Sequence, residues 1–163
     1  MACGRAALPA WRPGLRRRAH RHAVARRAAS EVLVAKGIGA ATDATGFGLL
    51  GHGLEMARAC GARFVFEASA LPALPGALAL AAAGVETGGA AHNRRFVSPA
   101  LTVDDRVGPE SVTLAVDPQT SGGLLAAVPA DGVDGIVRAL NGVGVQAWRV
   151  GQVETGEPVV ELR

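Results

Sequence analysis

The chain reads as a layered α/β domain, a mixed sheet flanked by helices. Two observations predict that class. Short apolar or alternating runs recur at residues 38–44, 62–68, 124–128, 145–150 and 158–162. Between them lie segments with helical character at 17–36, 49–60, 76–83 and 132–140, three of them closed by a glycine. Composition agrees: 49% hydrophobic residues with 22 Gly and 9 Pro in 163 is rich in turns without being low-complexity. A chain of this length buries roughly two thirds of its unfolded surface, enough for one core.

The same numbers exclude several classes. No run reaches the ~18 apolar residues of a membrane span, so the chain reads as soluble. Cys3 and Cys60 are too few for a disulfide framework, and a reduced, cytoplasmic setting is expected. The net charge of +3 hides two unlike parts. Residues 1–30 carry eight Arg and no acid, a net +8, while the rest carries nine Lys or Arg against fourteen Asp or Glu, a net −5. The high pI therefore belongs to the amino-terminal arm. Such an arm suits nucleic acid or a transit peptide. No apolar stretch follows Arg16-Arg17-Arg18, which counts against a secretory or twin-arginine signal. The expected division is an irregular or disordered Arg-rich arm over 1–26 and one folded domain over 27–163.

In chain order, Pro9 and Pro13 leave residues 1–14 without periodicity, and they are expected to be irregular. Residues 17–36 are compatible with a helix ending near Gly37, and 38–44 with a short strand. Leu50, Leu54 and Ala57 share one face of a helix over 49–60, ended by Gly61. Residues 62–68 alternate as a half-buried strand does. Pro75 suits the first turn of a helix over 76–83, which Gly84 ends. Residues 88–95 read as a polar, glycine-led loop. Residues 112–116 are apolar, and dense turn chemistry follows at 117–123. A strand over 124–128, a helix over 132–140, a strand over 145–150 and a final edge strand over 158–162 complete the chain.

The chemistry concentrates in residues 41–52. Asp43 ends an apolar segment just before Gly46 and Gly48, a good place for an acid that holds a hard cation. Glycines ahead of a helix let backbone N–H groups approach an anion, and the helix N-terminus adds partial positive charge. Together they suggest a site for a metal-bound phosphate, although Gly-x-Gly alone is common in ordinary turns. Asp43 has an alternative as a cap for the turn. Thr45, Gly46 and Gly48 either cap the helix or face phosphate. His52 and Glu55, at i, i+3, either share a metal or form a solvated His with Glu55 near Arg58. Residues 117–123 either hold the turn beneath the site or contact the ligand directly.

Five motifs occur in order: TDATGFGLLGH (42–52), GHGLEMARACG (51–61), LPALPGALAL (71–80), Gly88 and Gly89 with Asn93, and DPQTSGGLL (117–125). Over residues 27–163 this series resembles the C-terminal half of the selenophosphate synthetases (selenide, water dikinases), in the aminoimidazole ribonucleotide synthetase superfamily. The resemblance implies a fold like the C-terminal domain of that superfamily. It also implies synthesis of selenophosphate from selenide with ATP and Mg²⁺, with release of AMP and phosphate. Family members are two-domain homodimers that hold the nucleotide between domains. Carried over by position, Asp43 is the magnesium ligand, and Thr45, Gly46, Gly48 and Asn93 fall on the nucleotide side. The family's usual Thr is Ala90 here, so a hydroxyl role there is not carried over. Ala44 and Gly53 are read as packing variation.

The family's N-terminal domain supplies a nucleophilic Cys or selenocysteine, a catalytic Lys, a glycine-rich nucleotide segment and further metal aspartates. None has a counterpart here. Cys3-Gly4 is not followed by a Lys, so no catalytic residue is assigned. One carboxylate does not hold Mg·ATP against water, since Mg²⁺ dehydrates reluctantly. The chain alone is expected to be silent, with the N-terminal domain or a full-length subunit as its partner. Two other readings stand beside this one. Another member of the superfamily, such as a thiamine-phosphate kinase-like protein, is opposed by DPQTSGG beside TDATGFG. A non-catalytic module with an Arg-rich arm on nucleic acid has only Trp11 in that arm for stacking.

Overall fold

The computed structural model describes residues 6–9 and 18–163, with side chains from residue 25 onward. The described strands fall into two four-stranded sheets, where a single mixed sheet was expected, and the layered α/β class holds. The first sheet runs β2 (Ala41–Asp43), β5 (Leu124–Ala127), β1 (Ala6–Pro9), β6 (Ala147–Arg149), antiparallel throughout. The second runs β4 (Leu101–Val103), β8 (Val160–Leu162), β3 (Arg63–Phe66), β7 (Gly151–Glu154). There β4, β8 and β3 are parallel and β7 is antiparallel to β3. Six described helices pack around them: α1 (Arg18–Ala35), α2 (Gly48–Cys60), α3 (Ala77–Ala82), α4 (Gly88–Val97), α5 (Pro109–Val116) and α6 (Val133–Gly142).

Strand β5 is the wall between two apolar cores. Successive side chains of a strand leave opposite faces. Leu125 and Ala127 join Leu50, Leu54, Phe64, Phe66 and Val116 on one side. Ala126 and the following Val128 join Leu33 of α1 and Ile136 and Leu140 of α6 on the other. This double burial is why residues 124–128 read as an unbroken apolar run. On α2 the expected face is the buried one: Leu50, Leu54 and Ala57 are all 0% exposed. Burying each leucine stabilises the fold by roughly 1.5–3 kcal/mol relative to leaving it in water.

Several expectations need correction. Residues 88–95 are not a loop but most of α4, because Ala90, Asn93 and Val97 form a buried face at helical spacing despite the leading glycines. Residues 112–116 belong to α5, which starts with Pro109 in its first turn. The final strand is not at an edge: β8 pairs with both β3 and β4. Pro75 lies one residue before the α3 N-cap, Gly76. The strand expected at 38–44 is reduced to β2, and that at 145–150 to β6, with β7 a separate strand in the other sheet. Of residues 1–14, expected to be irregular, Ala6–Pro9 forms β1 between β5 and β6. Half of the Arg-rich arm, residues 1–5 and 10–17, lies outside the described residues, and α1 runs across the boundary drawn at 26/27.

Candidate functional site

Antiparallel pairing with β5 places Asp43 opposite Leu124, at the last position of β2. The next residue anchors the turn, since the Ala44 N–H donates to the Gly123 carbonyl at 2.8 Å. Asp43 itself is exposed, and the chain then turns through residues 44–47 into α2. Among the described residues no group of three or more His, Cys, Asp or Glu is arranged to hold a metal. Asp43 thus belongs to no three-residue ligand group among the described residues and stands as an exposed carboxylate at a strand end. That fits a Mg²⁺ that keeps several waters and takes one or two protein carboxylates together with substrate phosphates.

The turn after Asp43 is braced by hydrogen bonds and by close packing. Thr45 carbonyl accepts the Gly48 N–H and the Gln119 N–H, each at 3.0 Å. The Asn93 amide donates to the carbonyls of Gly46 and Val116, both at 2.9 Å. Gly48 has φ +68°, and a Cβ there would come within 2.7 Å of the Val116 carbonyl carbon and oxygen, so only glycine fits. A Cβ at Gly122 would overlap the Ala44 carbonyl oxygen. The 117–123 segment is therefore the floor of this turn, which is the first of its two expected roles.

Thr45 does not cap α2 with its side chain. The N-cap is Phe47, and no side chain caps the helix through its oxygen. Instead His52, from the second turn, brings Nε2 within 3.4 Å of the Phe47 N–H and 3.3 Å of Thr45 Oγ1. His52 Nδ1 lies 3.0 Å from Glu55 Oε2. The residue is 7% exposed. A solvated His52 is thus corrected: the Phe47 ring meets it edge-on at 5.5 Å and stacks on Phe96 at 5.5 Å. Asn93, expected on a loop beside the nucleotide, is 2% exposed on α4 and reaches the turn through main-chain carbonyls.

A cleft of about 420 Å³ opens beside the floor segment. Leu71, Leu74, Ala77 and Leu114 are among its apolar lining residues, and Asp117, Gln119, Thr120 and Ser121 among its polar ones. The volume is in the range of small-molecule sites. Ala44 borders it, whereas Asp43, Thr45, Gly46, Gly48 and Asn93 do not. The polar lining is ordered by Asp117, whose carboxylate accepts the Thr87 hydroxyl at 2.8 Å and the Gln119 amide at 3.2 Å. Thr87 and His52 are the contributors that sequence reasoning missed or misjudged. The i, i+3 pairing of His52 with Glu55 was the available signal, whereas nothing local links Thr87 to a residue thirty positions on.

Comparison with known proteins agrees with this architecture. The chain is 42% identical over 141 residues to selenide, water dikinase of Nitratidesulfovibrio vulgaris strain DP4, covering 86% of this chain and 40% of that protein. Against the enzyme of the same name from strain Miyazaki F the identity is 45% over 114 residues, 70% of this chain and 33% of that protein. The chain thus spans about 40% or less of the length of these relatives. Thiamine-monophosphate kinase of Stenotrophomonas maltophilia K279a shares the fold, with a TM-score of 0.53 at 13% identity over 99% of this chain and 50% of that one. Residues 15–162 match the family described as AIR synthase related protein, C-terminal domain, and the chain belongs to that family.

Proposed function

We propose that this chain is the C-terminal part of a selenide, water dikinase. In this reading Asp43 ligates Mg²⁺ and the Thr45–Gly48 turn faces the phosphates of ATP. The observation that carries it is the junction of the two most specific motifs. TDATGFGLLGH and DPQTSGG are joined by the Ala44–Gly123 and Gln119–Thr45 hydrogen bonds, in a chain 42% identical to such an enzyme. Mg²⁺ at Asp43 would neutralise and orient phosphate oxygens. The chain's own part is to fix the carboxylate at the β2 end, to present the turn amides beside the α2 N-terminus, and to hold the turn with Asn93. The nucleophile, the remaining Mg²⁺ ligands and most of the ATP contacts come from polypeptide corresponding to the rest of the relatives. ATP and selenide are the substrates, the assembled enzyme is a homodimer, and the setting is cytoplasmic. No helix among the described residues is long and apolar enough to cross a membrane.

The test is a chimaera in which this chain replaces the matching region of the N. vulgaris strain DP4 enzyme. Selenide-dependent release of AMP and phosphate from ATP, at a rate well above that of either part alone, is the expected result. A folded, monodisperse chimaera without that activity rejects the assignment.

A further inference from the structure

The contacts of His52 fix more than the position of its ring. A backbone N–H only donates, so the Phe47 amide at 3.4 Å requires Nε2 to be an acceptor. The single proton of the neutral ring then sits on Nδ1 and is donated to Glu55, 3.0 Å away. With Nε2 an acceptor, its single lone pair is shared by the Phe47 N–H and the Thr45 hydroxyl at 3.3 Å, which turns its own proton toward the ring. Thr45 Oγ1 is left with lone pairs only. Beyond this shell the Phe47 ring covers the imidazole edge-on, and Arg58 lies 5.8 Å from the centre of the Phe96 ring that stacks on Phe47.

We infer that His52, held by Glu55, is a positioning residue. It sets the Thr45–Gly48 backbone and commits the Thr45 hydroxyl proton, so that Thr45 meets an incoming ligand as a hydrogen-bond acceptor. An acceptor matches the water shell of a magnesium ion, whose O–H groups all donate, and does not match a bare phosphate oxygen. The magnesium part of this inference rests on the function proposed above, whereas the tautomer and the turn contact do not.

Both parts are testable separately. In the full chain labelled with ¹⁵N, long-range ¹H–¹⁵N correlation of His52 is expected to show a proton on Nδ1 and a bare Nε2. The Phe47 amide is expected to exchange slowly. His52→Gln places a carbonyl oxygen near the Nε2 position and should keep that protection, while His52→Asn is too short and should lose it. In the chimaera, H52N should raise the Mg²⁺ concentration for half-maximal turnover by about 10–100-fold, as loss of an outer-shell partner does, and H52Q should restore most of it. A proton on Nε2, or Phe47 exchange unchanged in a folded H52N chain, overturns the assignment. Equal Mg²⁺ requirements for H52N and H52Q overturn the magnesium part. An inactive unsubstituted chimaera counts against the proposed function instead, and the spectra of the full chain still decide the role of His52.

Discussion

The side-chain amide of Asn93 donates to the main-chain carbonyl of Gly46 at 2.9 Å across 47 residues of sequence. Its second bond, to Val116 at 2.9 Å, ties the end of α5 to the same point. One side chain on α4 thus holds both the turn that follows Asp43 and the helix beneath it. Asn93→Ala would leave two carbonyls without their donor, and a destabilisation of about 1–3 kcal/mol is expected. Urea denaturation of the full chain measures it. A stability unchanged from the parent would mean that Asn93 serves a ligand and not the turn.

The two glycines of the turn should respond differently to a methyl group. Gly48→Ala forces a positive φ and a clash with Val116, and a cost of about 1–3 kcal/mol is expected. Around Gly46 a Cβ meets nothing within 4 Å, and its φ is not positive. Gly46→Ala should therefore change stability by no more than about 0.5 kcal/mol. Any fall in chimaera turnover in G46A then reports on close approach of a ligand to the backbone. Equal losses of stability in the two variants would contradict the turn geometry.

Asp43→Asn separates a ligand from a structural acid. The residue is exposed, so the melting temperature of the chain should hardly move. Turnover in the chimaera should fall at least about 100-fold, because a metal ligand contributes several kcal/mol of charge stabilisation. Wild-type turnover with an unchanged Mg²⁺ requirement would remove Asp43 from the site.

Acid stability has a separate origin, away from the site. Asp104 accepts Arg106 Nε at 2.8 Å, and the Arg106 Nη2 and backbone N–H at 2.9 Å. The guanidinium hydrogen bonds first, and the backbone bond second, hold its carboxyl well below the usual carboxylate range. A depressed folded-state pKa contributes stability that is present above the unfolded value of about 3.9 and lost as pH falls through the folded value. Asp104→Asn should thus lower the denaturation midpoint at about pH 7, with the gap to the parent narrowing at about pH 3. A gap that does not change with pH would assign the effect to packing.

What was legible in the sequence was local. Helix α2 carries its own period in Leu50, Leu54 and Ala57, and β5 is an apolar run because both its faces are covered. What was not legible depends on partners distant in the chain. The face of α4 formed by Ala90, Asn93 and Val97 is masked by Gly88, Gly89 and a polar His92–Arg95 run. The interior place of β8 follows from parallel pairing with β3 and β4, and β1 gains its role only from β5 and β6. At the site, the motif singled out Asp43 and the glycines, but the burial of His52 follows from the Phe47 ring folding over it.

The braces on the Thr45–Gly48 segment carry a thermodynamic consequence. Bonds from Asn93 and Gln119, with Gly123 tying the adjacent Ala44, restrict this backbone as soon as the domain folds. On the function proposed above, an ion arriving at Asp43 would meet a rigid platform, with little conformational entropy left to lose at that moment. Calorimetry of cation binding in the chimaera should then show a heat-capacity change far smaller than coupled folding would produce.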